Sequence, residues 1–156
     1  MFEKTRRELI YRGQTRKQGE KVRIGDGARL PGNWVYGGVF APDTEGSFSV
    51  IYAYESAEKY PVYAETVGQY TGWIDKKGTK IFEDDILLYH IENYDYIGVV
   101  FFSEGAYHVD HMTQNMAGQK ATGRCRLARL LDVSRDFGGV EIVGNIHDTP
   151  ELTMGF

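Results

Sequence analysis

The sequence predicts a mainly β fold: a small bent sheet or barrel-like arrangement of short antiparallel strands, with one short helix. Three observations carry that expectation. Nineteen Gly and eleven Tyr in 156 residues favour many short strands joined by turns. Runs of aromatic and β-branched residues recur along the chain, separated by polar turn clusters. Only one stretch, residues 124–133, spaces leucines (Leu127, Leu130, Leu131) as one face of a helix requires. About seven to nine strands are expected, and a barrel or strongly bent sheet would protect their edges.

In chain order, residues 8–11 read as the first strand, with Leu9 and Tyr11 on one face. Residues 13–32 are dominated by Lys, Arg, Gly and Gln and read as a long loop holding one short strand at 21–24. Residues 34–40 form a strand containing the pair Gly37-Gly38, which points to a bulge or to close approach of another backbone. After a turn at 42–46, residues 47–54 alternate, with Phe48, Val50, Tyr52 and Tyr54 on one face and Ile51 and Ala53 on the other. Residues 55–59 read as a polar excursion, and residues 61–65 lead onward.

The organising stretch is residues 67–88. Gln69 to Ile74 suits a pleated, half-buried surface, and Asp75-Lys76-Lys77-Gly78 supplies a polar turn with Gly where positive φ is wanted. Residues 79–82 resume β character, Glu83-Asp84-Asp85 makes a second turn, and residues 86–89 look buried. Farther on, 90–96 reads as a polar loop and 97–102 as a core strand. Ser103-Glu104-Gly105 turns it back, so that 106–110 pairs with it. Residues 112–123 lack periodicity and read as a loop. Gly138-Gly139 then leads into a last strand at 140–146.

Three blocks resemble the YopX family, small proteins encoded by bacteriophages and prophages. The first is similar to the family pattern Q-(Y/F)-T-G-φ-x-D-x-x-G-x-x-I-(Y/F)-E-G-D-I, with φ apolar. It is carried by Gln69, Tyr70, Thr71, Gly72, Trp73, Asp75, Gly78, Ile81, Phe82, Glu83, Asp85 and Ile86. The second, similar to E-V-I-G-N-I-(Y/H)-x-x-P-E-L, is carried by Glu141 to Ile146 (with Gly144 and Asn145) and by Pro150, Glu151 and Leu152. The third is Arg7 to Gly13. Asp84 stands where the family usually has Gly, so the turn must use a conformation that Asp tolerates, such as the left-handed region. The resemblance implies a β-rich fold and a phage setting and brings no activity with it. The motif residues are read as structural.

The length fits one domain, residues 1–156, with 1–32 as an extended basic N-terminal segment. Residues 1–29 hold nine basic and four acidic residues, whereas 30–156 hold nine basic and eighteen acidic. Such an asymmetry fits a solvated leader, docking on another copy, or a nucleic-acid arm. The single Cys125 excludes an internal disulfide and fits a reducing compartment. A charged N-terminus and the lack of a long apolar run point to a soluble, cytoplasmic protein without membrane contact.

The chemical candidates are few. His108, Asp110 and His111 are the most metal-like group, with His108 and Asp110 on one strand face and His111 on the other. A site would need further ligands such as His90 or His147, and surface histidines are the commoner outcome. Glu83, Asp84 and Asp85 could hold a cation, although an acidic turn is commoner. Cys125 has Arg124 and Arg126 beside it but no sequence-adjacent His, and reads as a core or inert thiol. No catalytic residue and no cofactor is expected. The leading expectation is a homo-oligomeric accessory protein presenting an aromatic, acidic face to a host or phage protein. The alternatives are nucleic-acid binding through the basic N-terminal segment, and a small metal-dependent enzyme built on His108, Asp110 and the acidic turn.

Overall fold

Eleven β-strands and one α-helix form among residues 8–15, 34–40, 48–114 and 117–154, which the computed structural model describes. The strands are β1 Tyr11–Gln14, β2 Trp34–Phe40, β3 Phe48–Ala53, β4 Lys59–Tyr63, β5 Gly68–Ile74 and β6 Lys80–Phe82. Then come β7 Asp85–Ile91, β8 Tyr94–Ser103, β9 Ala106–Gln114, β10 Lys120–Arg126 and, after helix α1 Leu127–Ser134, β11 Val140–Asn145. The short strand expected at 21–24, the turn at 42–46 and most of the basic N-terminal segment lie outside the described residues. Among the described residues no helix is long and apolar enough to cross a membrane. The chain divides into two compact units, Met1–Tyr70 and Thr71–Phe156.

In the first unit the strands run in the order β4-β3-β2-β1-β5, each antiparallel to its neighbour where registers are defined. The sheet is bent, not closed. Its curl brings β1 back over β4, three strands away: a Cβ built on Gly13 would lie 2.8 Å from Val62 Cγ2. The concave side buries Val35, Ile51, Ala53, Tyr60 and Val62. Gln14 seals one end, its backbone N–H donating to Thr66 Oγ1 at 2.8 Å, while that hydroxyl donates to Tyr63 O at 2.7 Å. The expected close approach at the glycine pair is found at Gly37, where an added Cβ would strike the carbonyl oxygen of Tyr52 on β3.

The second unit holds a five-stranded antiparallel sheet, order β10-β9-β8-β7-β11, with α1 across β7 and β9. Leu127 and Leu130 of the predicted stripe are buried and Leu131 is half-buried against Leu87, Tyr89, Val100, Val109 and Val140. The hairpin turn Asp75–Gly78 precedes β6 as expected, closed by Asp75 N–H to Thr79 O at 2.8 Å and Gly78 N–H to Asp75 O at 3.0 Å.

Several boundaries differ from the sequence expectation, each for a physical reason. The first strand is 11–14, not 8–11, because Gly13 is the residue that lets β1 pass over Val62. Residues 59–63 form β4 despite Pro61, which is tolerated because β4 is the outermost strand and Pro there forfeits no ladder bond on its free side. Residues 90–96 are not a loop. β7 and β8 continue through them to a turn at Glu92, which takes φ 55. Likewise 112–123 is mostly hairpin, with Met112 paired to Thr122 and Gln114 to Lys120.

Candidate functional site

The acidic turn is held in place by its own hydrogen bonds. Asp84 takes φ 70, the left-handed conformation its substitution for Gly requires. Its N–H donates to Val100 O at 2.8 Å and its carbonyl accepts from Ile146 N–H at 3.0 Å. Its carboxylate lies 2.8 Å from His147 Nε2. Asp85 is buried and its carboxylate accepts from Phe82 N–H at 2.8 Å. The two aspartates therefore point to different partners and do not converge on a shared space.

The strand candidates divide as alternation demands. Asp110 holds Arg124 through both oxygens at 2.6 and 3.1 Å, and Arg124 lies over the ring of Phe101, on which His108 also stacks. His111 projects to the other face, edge-on to Tyr89 and Tyr96, with Nδ1 3.9 Å from Cys125 Sγ. His90 lies instead beside Asp95, at 2.7 Å. Among the described residues no three of His, Cys, Asp and Glu come together to hold an ion. The His111–Cys125 contact was invisible in the sequence because it depends on the β9–β10 register, which pairs His111 with Gly123. Burial pushes the Cys125 thiol up, and the cation that opposes this is Arg129, not the neighbouring Arg124 or Arg126.

Burial likewise holds His111 below the ordinary imidazole value of 6.5, with Asp110 pulling the other way. As pH falls through 6.5 the unfolded chain takes up a proton that the folded chain refuses, so stability declines there. His111→Gln is expected to flatten the stability profile between about pH 7 and pH 5. Urea midpoints across that range test this; identical slopes in variant and parent would assign the decline to another group.

The motif residues of the second unit form a connected set of bonds. Asp75 is buried, its Oδ1 accepting from Lys77 N–H and Thr79 N–H, both at 2.9 Å, and its Oδ2 from Ile142 N–H at 3.1 Å. Lys76 N–H donates to Val140 O at 2.9 Å, and both Lys76 and Lys77 reach the Glu141 carboxylate. Thr71 Oγ1 donates to Ile81 O at 2.8 Å. Asn145 Oδ1 accepts from His147 and Asp148 N–H at 3.0 and 2.9 Å, and its Nδ2 donates to Asp148 Oδ2 at 3.0 Å. Gly144 leaves room for Thr149 Oγ1, which bonds the Asn145 backbone. Pro150 starts the short 3-10 turn Pro150–Thr153.

A family model described as YopX protein matches residues 33–153, a span that contains all of these bonds. The chain belongs to the YopX family. No curated protein and no solved structure showed a match. Within this YopX chain the two blocks that carry the resemblance, 69–86 and 141–152, meet in space through Asp75–Ile142 and Asp84–Ile146.

A row of exposed aromatic side chains lies in the first unit, on the convex side of its sheet. Tyr36, Phe48, Tyr52 and Tyr54 are between 38% and 59% exposed and share that face with Tyr63, whose ring centre is 5.0 Å from that of Phe48. Register places Tyr52 opposite Gly38 and Lys59, and Tyr36 opposite Arg12, so the charged neighbours in these rows are cationic. The acidic character expected of this aromatic face is therefore absent from those two rows.

Proposed function

We propose that this YopX protein is a non-catalytic interaction module that self-associates through the convex aromatic face of its first unit. The observation that carries the reading is one sheet face bearing Tyr36, Phe48, Tyr52 and Tyr54, all well exposed. Aromatic side chains give large contact area at small entropic cost, and their hydroxyls stay satisfied at a wet rim. In an association about a two-fold axis the same patch on each copy meets the other, so a single aromatic face suffices for both sides of the contact. The extent of exposed ring is modest against the roughly 800 Å² per partner of a standard interface, which fits a weak, reversible association. The buried motif residues serve as scaffold in this reading. The setting is the cytoplasm of a bacterial host carrying a phage or prophage, with a host or phage protein as a further partner of the assembled form.

Sedimentation velocity from about 1 to about 300 μM tests the proposal. A rising weight-average mass is expected, and Phe48→Ser with Tyr52→Ser should abolish the rise. A monomer that stays ideal over the whole range would remove self-association.

A further inference from the structure

The sheet of the second unit runs β10-β9-β8-β7-β11, so β10 and β11 are its two edges. The edge at β11 is closed. Lys76 N–H donates to Val140 O at 2.9 Å, Asp75 Oδ2 takes the Ile142 N–H, and the register breaks between Ile142 and Gly144. β10 has none of these protections. Its seven residues contain no proline, and its register runs unbroken from Lys120–Gln114 to Arg126–His108. Among the described residues the backbone groups of 121–125 bond to β9 alone, and Ala121, Thr122 and Arg124 are exposed. Such a strand turns alternate N–H and C=O groups outward, where an extended peptide can take them up.

Two clefts open beside this edge, one on each face of the sheet. The first, about 760 Å³, lies over the row Tyr96–Thr113–Ala121 and is walled by Tyr94. The second, about 620 Å³, lies over the row Val99–Asp110–Arg124, with Thr122 and Thr153 beside it. Ala121 and Arg124 are three residues apart, so they fall on opposite faces of the strand. A strand added along β10 would therefore present a side chain to each cleft. The small Ala121 leaves the first cleft open at the edge, and the rings of Tyr94 and Tyr96 suit it to an aromatic side chain.

The edge also selects charge. Arg124 is committed to Asp110. Arg126 and Arg129 are exposed, and neither has an ion-pair partner among the described residues. Pairing β10 with its own copy about Gly123 would set Lys120 directly against Arg126, and like charges so placed destabilise a sheet. Cations on an edge deter strands of their own sign and leave an acidic strand as the one admitted.

We propose that β10 is a docking edge for an extended acidic segment of another protein, taken up by strand addition. The backbone of the segment continues the sheet, an aromatic side chain lies over Ala121, and a carboxylate lies opposite Arg126. This contact belongs to the second unit and does not rest on the self-association of the first.

The test follows the fluorescence anisotropy of a labelled peptide, Glu-Val-Thr-Val-Thr-Tyr-Glu, titrated with the full chain carrying Phe48→Ser and Tyr52→Ser. Saturable binding is expected, and the parent chain should give the same affinity. A peptide with Lys at both ends should bind about tenfold more weakly or worse. Arg126→Glu should weaken the Glu peptide about fivefold and strengthen the Lys peptide. Backbone N-methylation distinguishes a ladder from side-chain contact alone. Methylating one alternate set of peptide nitrogens should abolish binding, and methylating the other set should leave it nearly unchanged. No saturable binding, equal effects of the two methylated sets, or a preference for the Lys peptide would each overturn the proposal. If the Phe48→Ser, Tyr52→Ser chain stays associated and the peptide disperses it, the edge belongs to a second copy, which overturns it as well.

Discussion

Asp75→Ala is expected to destabilise the second unit by about 3 to 5 kcal/mol, as three backbone donors lose a charged acceptor. The donors belong to Lys77, Thr79 and Ile142, and the aspartate is 6% exposed. Water can reach the turn amides once the carboxylate is gone, so the Ile142 N–H, shielded within β11, accounts for much of the loss. Asp75→Asn separates the contributions. One amide oxygen can still serve Lys77 and Thr79, while its NH₂ group then meets the Ile142 donor, and roughly half the loss is expected. Urea unfolding followed by Trp73 fluorescence measures both. A shift below about 1 kcal/mol for Asp75→Ala would show that the turn and β11 hold together without the carboxylate.

The adjacent glycines of β2 should give opposite results. Gly37→Ala places a methyl on the carbonyl oxygen of Tyr52, a backbone atom of the paired strand that cannot swing aside. β2 and β3 must separate locally, with an expected loss of about 3 kcal/mol or more. Gly38→Ala meets nothing within 4 Å, and its φ lies outside the left-handed range. It should be neutral or stabilise by about 0.5 kcal/mol, since alanine restricts the unfolded chain. Trp34 fluorescence in a Trp73→Phe background reads both midpoints. Equal effects at the two positions would refute the close-approach account of the pair.

How much of this was legible in the sequence depended on whether a feature was local. Strand β2 was read with both boundaries because Trp34 to Phe40 is a continuous β-type run bracketed by turn residues. The left-handed Asp84 followed from one residue in one motif. The helix needed only the spacing of three leucines. What failed was non-local. The end of β9 and the start of β10 carry Thr, Gln and Gly where a strand pattern wants apolar alternation, and they are held by cross-strand pairing with β8 and each other. β4 was obscured by Pro61, whose tolerance depends on β4 being an edge. At the site level, the role of Asp75 as acceptor for the Ile142 N–H required knowing where β11 returns in the fold.

The bond from Asp75 to Ile142 spans 67 residues. A ribosome adding about 5 to 20 residues per second therefore leaves that carboxylate waiting roughly 3 to 13 seconds for its third donor. Strands β7 to β10 are successive neighbours and can zip as they emerge, each onto the one before. β11 alone must travel back, and until it arrives one edge of β7 stays open to any passing strand. Nascent chains of this protein thus have a defined interval of vulnerability, and a chaperone that shields the edge of β7 would act within it. A message cut short before codon 140 would make that interval permanent.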